Sequence, residues 1–151
     1  MKSFNYELDY GSIDFQKRPD LYRIGKGEQG VLLVEPYKSQ ILPHWKFKSA
    51  ADARKSSKMI YSMFLAYLKK GDFPGADMAR KFLQMGWTRA RRYTNHKGGR
   101  KYDSIGRELP RSLDEEKAKA AAIFYDRYVT ARENRKYLKL KAVHKTKHEA
   151  G

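Results

Sequence analysis

The chain has 151 residues, with 33 Lys and Arg against 17 Asp and Glu and a formal net charge of +16. A hydrophobic fraction of 40% is enough for a core, so length and composition exclude a disordered chain and favour one domain over two. The lack of cysteine excludes a disulfide framework and any thiolate metal site or nucleophile, and fits a reducing cytoplasm. The start, Met1-Lys2-Ser3-Phe4-Asn5-Tyr6-Glu7, has no signal-peptide run, and nothing approaches the ~20 apolar residues of a membrane span. No membrane partner is expected. The expected location is the cytoplasm.

Residues 1–48 read as an extended, hairpin-like part of the domain. Leu21-Tyr22-Arg23-Ile24 and Val31-Leu32-Leu33-Val34 are β-prone runs joined by Gly25-Lys26-Gly27-Glu28-Gln29-Gly30, and Pro36 ends the second. The joining loop matches G-x-G-x-x-G, but a dinucleotide loop must open a helix, and this one leads into a run that reads as a strand. The same setting occurs in protein kinases, whose HRD and DFG motifs are missing here. A plain hairpin connection is the expectation, with glycine supplying positive φ. Ile41-Leu42-Pro43-His44-Trp45-Lys46-Phe47 reads as an irregular arm on the core.

Residues 49–140 read as the helical body. Ser49 is a helix N-cap, and Ile60, Met63, Phe64, Tyr67 and Leu68 share one helix face. Gly71 stops that helix. Asp72 or Pro74 opens a second, with Ala79, Phe82 and Leu83 inward and Gly86 as its stop. Trp87 to Asn95 reads as a short third helix, broken at Gly98-Gly99. Ser112 and Glu115 form a capping box for a last helix, with Ala118, Ala121, Ala122, Tyr125, Tyr128 and Val129 as its buried stripe. Residues 141–151 form a basic tail expected to fray. The fold class is therefore α+β: a mainly helical single domain with a small N-terminal β-hairpin.

The run Gly75-Ala76-Asp77-Met78-Ala79-Arg80-Lys81-Phe82-Leu83-Gln84-Met85-Gly86-Trp87-Thr88-Arg89-Ala90-Arg91-Arg92-Tyr93, with Asn95-His96-Lys97 after it, resembles the signature of a bacterial and bacteriophage family catalogued as a domain of unknown function. The resemblance extends upstream through residues 36–45. It implies no activity, cofactor or catalytic residue.

The charge is unevenly spread: net +2 over residues 1–48, +9 over 49–110 and +5 over 111–151. Residues 80–102 hold eight basic residues and no acid: Arg80, Lys81, Arg89, Arg91, Arg92, Lys97, Arg100 and Lys101, interleaved with Trp87, Tyr93, His96 and Tyr102. Arginine forks suit phosphate and base edges, and flat rings stack on exposed bases. A helix stopping at Gly86 before a basic helix is compatible with helix-turn-helix geometry. These twelve residues are the expected nucleic-acid contacts, with DNA favoured over RNA, no enzyme activity and no cofactor.

An alternative is an enzyme acting on nucleic acid or a phosphorylated small molecule through His96 with Asp77 or Asp103. Another is an interaction protein for an acidic partner. Asp72 and Asp77, five apart, do not converge on one helix face as a metal-dependent nuclease requires. Asp77 is expected to favour a helix start. His144 and His148 have i, i+4 spacing but no acidic cluster beside them, so no metal site is expected.

Overall fold

The computed structural model describes residues 2–95, 105–107 and 114–150. Their regular structure is helical, and no strand occurs among them. After two short 3-10 turns come α1 (Tyr37–Ile41), α2 (Ala50–Lys69), α3 (Phe73–Asn95), α4 (Glu115–Arg132) and α5 (Arg135–His144).

Ser49 caps α2, its side chain accepting from the Asp52 N–H at 3.1 Å. Ile60, Phe64, Tyr67 and Leu68 are buried along one face, with Met63 half-buried beside them. Asp72 then opens α3, its Oδ1 accepting from the Gly75 N–H at 3.2 Å. α3 is the axis of the fold. α2 and α4 pack along it, and α5 meets it near its start, where the Tyr137 and Phe73 rings lie 5.7 Å apart. Every residue from Phe73 to Leu83 is buried, the pattern of a helix enclosed on all sides.

Gly86 does not end a helix. α3 runs through it to Asn95, so the expected second and third helices are one and no turn separates them. The glycine serves close packing instead, because a Cβ there would overlap the Phe124 ring of α4. Ser112 lies outside the described residues. The cap of α4 is Asp114, which accepts from the Lys117 N–H at 3.1 Å. The buried stripe of α4 is Ala120, Ala121, Phe124, Tyr128 and Ala131; of the expected set, Ala121 and Tyr128 belong to it.

The expected β-hairpin is absent, and the α+β class gives way to an all-helical fold. Residues 21–34 coil through successive turns, with Gly25, Gly27 and Gly30 all at positive φ. The apolar runs still bury Tyr22, Ile24, Val31 and Val34 against the helices. Their backbone groups, however, bond to buried side chains from elsewhere. Arg80 Nη1 donates to the Gly27 carbonyl (2.6 Å) and Lys81 Nζ to the Gln29 carbonyl (2.6 Å). Glu149 Oε2 accepts from the Ile24 N–H (3.1 Å), and His144 Nε2 lies 2.9 Å from the Tyr22 carbonyl. Buried backbone groups must be paired, and here side chains from α3 and the C-terminal end pair the loop carbonyls, Tyr22 and Ile24, while the Val31 and Leu33 N–H groups donate to the local turn carbonyls of Glu28 and Gly30.

Residues 141–149 of the expected tail are helical. α5 continues into a π-helical turn at Lys145–Glu149, with His144 and Glu149 buried and the Lys2 N–H donating to the Glu149 carbonyl at 3.2 Å.

Candidate functional site

The basic segment divides by depth. Arg80 and Lys81 are buried, at 6% and 0% exposure, around the wholly buried Asp77. Spacings of i, i+3 and i, i+4 on α3 bring the three together. Asp77 Oδ1 accepts from Arg80 Nη2 (2.7 Å), Arg80 Nε (3.1 Å) and Tyr137 Oη (2.6 Å). Oδ2 accepts from Tyr22 Oη, with Lys81 Nζ at 3.9 Å. Burial pushes the Asp77 carboxyl up, but Arg80, Lys81 and the two phenols outweigh it and hold it at about 2. Burial pushes Lys81 down to about 8 although Asp77 opposes it. Burial also pushes both tyrosines up, and the adjacent Asp77 carboxylate adds to that.

This cluster has the perturbed groups of a catalytic site, but Asp77 and Lys81 expose nothing to a substrate. Its partners show a structural role. It ties the coil of residues 22–29 and helix α5 to α3. Asp77 is therefore a hub inside α3 and not a favoured residue at a helix start.

Arg89, Arg91 and Arg92 are exposed on the last turns of α3. The Arg91 guanidinium lies 5.9 Å from the Trp87 ring, within cation–π range. Trp87 is half-buried against Tyr125 (4.7 Å) and Tyr128 (5.9 Å), and Arg132 covers the Tyr128 ring at 5.0 Å. Glu28, bonded by Thr88 Oγ1 at 3.2 Å, lies close enough to feel the charge of Arg89. Tyr93 packs on Phe47 at 5.9 Å. Candidates His96, Lys97, Arg100, Lys101 and Tyr102, and Asp103 with them, lie outside the described residues.

Phe47 belongs to the arm that leads into α2. The arm is pinned by Ser56, whose Oγ donates to the His44 carbonyl (2.6 Å) and accepts from the Lys46 N–H (2.9 Å). Trp45 Nε1 donates to the Phe82 carbonyl at 3.0 Å. Between arm, α3 and α4 lies a cavity of about 490 Å³ whose walls include Trp45, Phe47 and Tyr93.

The model of the family described as Domain of unknown function (DUF4385) matches residues 5–147. The chain belongs to that family. No curated protein and no solved structure matches it. The matched span of this DUF4385 chain takes in both the buried cluster and the exposed end of α3.

Reading residues 80–102 as one basic block misses that division. The signal for depth is the presence of Asp77 three and four residues before Arg80 and Lys81, in a stretch with Ala, Met, Phe and Leu on every side. The arm is missed as a site for another reason. Trp45-Lys46-Phe47-Lys48 alternates ring and cation over four residues, too short a pattern to stand out beside eight clustered cations. No group of three or more His, Cys, Asp or Glu side chains placed to hold a metal occurs among the described residues. No described helix is long and apolar enough to cross a membrane.

Proposed function

We propose that this DUF4385 chain is a non-enzymatic nucleic-acid-binding protein, with DNA favoured, that grips phosphates through the exposed end of α3. One observation carries the reading. The buried acids among the described residues, Asp77 and Glu149, are matched in number by the buried cations Arg80 and Lys81. The chain's excess of +16 is thus left to the remaining residues, and Arg89, Arg91 and Arg92 are the part of it that stands exposed together on the last turns of α3. Such an excess costs self-repulsion, which a polyanion relieves. The contact set narrows to those three arginines with Trp87 and Tyr93, continuing into the basic residues 97–101. Arg80 and Lys81 leave the set because their donors are spent inside the fold. The action is placed in the cytoplasm, that of the host if a bacteriophage encodes the chain.

The test is salt-resolved binding of duplex and single-stranded DNA and RNA. Log K is expected to fall linearly with log salt, with a slope reporting about four to seven phosphate contacts at about −0.9 each on a duplex. Replacing Arg89, Arg91 and Arg92 with Ala should weaken binding at least tenfold more than replacing Lys136, Lys139 and Lys147, about three charged contacts against none. Those lysines are exposed on and just beyond α5, which packs at the other end of α3, so both triples remove equal charge. Equal losses would mean that a partner senses bulk charge alone and would sink the site assignment. Absence of binding at low salt would sink the function.

A further inference from the structure

The groove beside Tyr93 has the composition of a pocket for one flat, negatively tethered group. Trp45, Phe47 and Tyr93 line it among the described residues, together with Lys46, Lys48, Lys117 and Asp52. Phe47 lies tilted by 51° to both Trp45 and Tyr93. All three rings are only half-buried, so part of each is left facing the cavity. The volume of about 490 Å³ falls within the range of small-ligand sites.

The site is also held in shape. Trp45 is fixed by its bond to the Phe82 carbonyl, and the arm by Ser56. Lys117 Nζ donates to the Lys48 carbonyl and lies 5.7 Å from the Phe47 ring, so one cation is already placed. Lys46 and Lys48 are exposed. Asp52, the acid lining the cavity, offers an acceptor for an exocyclic amino group.

We propose that this groove receives an unpaired base of a single-stranded nucleic acid, stacked among Trp45, Phe47 and Tyr93, with its flanking phosphates held by Lys46, Lys48 and Lys117. The inference rests on the nucleic-acid reading above and adds the substrate class. Arg89 lies four residues before Tyr93 on the same α3 face, so a backbone leaving the groove meets the arginine cluster. A duplex keeps its bases stacked on each other and presents no ring face to the groove. A lipid surface fits less well, because the indole N–H points inward to the Phe82 carbonyl and the rings wall a concavity.

The probes are oligo-dC and oligo-rC of about eight nucleotides, the scale of single-strand sites, with a duplex and polyglutamate as comparisons. Oligo-dC or oligo-rC is expected to quench the emission of Trp45 in the variant Trp87→Phe, where it is the one tryptophan left, and unchanged emission on binding would overturn the groove assignment; whichever binds more tightly assigns the sugar. Tyr93→Ala, and separately the double variant Lys46→Ala with Lys48→Ala, should each weaken single-strand binding about tenfold, and the double variant, which lies outside the arginine set, should weaken duplex binding less than about twofold. The lysines are exposed, so the double variant keeps the test valid if Tyr93→Ala proves unstable by circular dichroism. If the arginine triple abolishes binding while these variants bind the single strand like the parent, the groove assignment falls and the wider reading survives. Polyglutamate binding that matches the oligonucleotide and is lost in the same variants would make this a site for acidic protein. If no nucleic acid binds at all, both readings fall.

Discussion

Asp77→Asn tests the buried cluster most directly. The substitution keeps the volume of the side chain and removes its charge, leaving Arg80 and Lys81 buried without a counter-ion. Its cost has a floor set by protonation. The Asp77 carboxyl is held at about 2 against an ordinary 3.8, which corresponds to about 2 kcal/mol of stability at neutral pH. Because the folded-state value is depressed, that contribution is complete above about pH 4 and is lost as pH falls towards 2. Asparagine costs more than a proton does. Its amide NH₂ is a donor set among donors from Arg80, Tyr22 and Tyr137, and breaking a buried pair typically costs about 3–5 kcal/mol. The expected loss is therefore about 3–5 kcal/mol by urea unfolding at pH 7, with the gap to the parent chain narrowing between pH 4 and 2. A loss under about 1 kcal/mol, or a gap that does not change with pH, would refute the claim that Asp77 neutralises the cluster.

Two other predictions follow from the same packing. Lys81→Met removes a cation that burial holds down to about 8 against an ordinary 10.5. The parent chain should therefore gain stability relative to the variant as pH rises from about 8 to 10.5, because the unfolded state binds the extra proton there; a pH-independent difference in Tm would overturn this. Gly86→Ala gains about 1 kcal/mol in helix propensity but drives a Cβ into the Phe124 ring. A net loss of about 1–3 kcal/mol is expected from overpacking, with Phe124→Leu restoring part of it in a double-mutant cycle; a stabilised Gly86→Ala would show that α3 and α4 are not in close contact there.

Much of the helical body was legible because it obeys local rules. The Ser49 cap, the Ile60 to Leu68 face of α2 and the Asp72 start of α3 follow from a side-chain oxygen and a 3.6-residue period. Gly86 defeated the same rules. A glycine after thirteen helical residues reads as a stop, and its role as a contact with Phe124 depends on α4, nearly forty residues later in the chain. The hairpin failed for a related reason. Two β-prone runs around a glycine loop satisfy every local criterion for strands. The choice turned instead on who pairs the backbone. Arg80, Lys81, His144 and Glu149 come from 52 to 125 residues away along the sequence and bond the loop carbonyls of Gly27 and Gln29 and the backbone of Tyr22 and Ile24.

The same point changes how the basic segment is interpreted. A cluster of cations without acids looks like one surface when it is counted along the sequence, yet α3 sends its members in two directions. Arg80 and Lys81 sit on turns enclosed by α5 and the N-terminal coil, and their burial is offset by Asp77 and by bonds to the Gly27 and Gln29 carbonyls. One helical turn after Gln84 the enclosure ends. Arg89 there lies near the half-buried Glu28, and Arg91 lies over the Trp87 ring. Continuity of α3 through Gly86 joins these two environments in one rigid element. Anything gripping the arginines therefore pulls on the same helix whose other half is hydrogen-bonded to the coil and to α5.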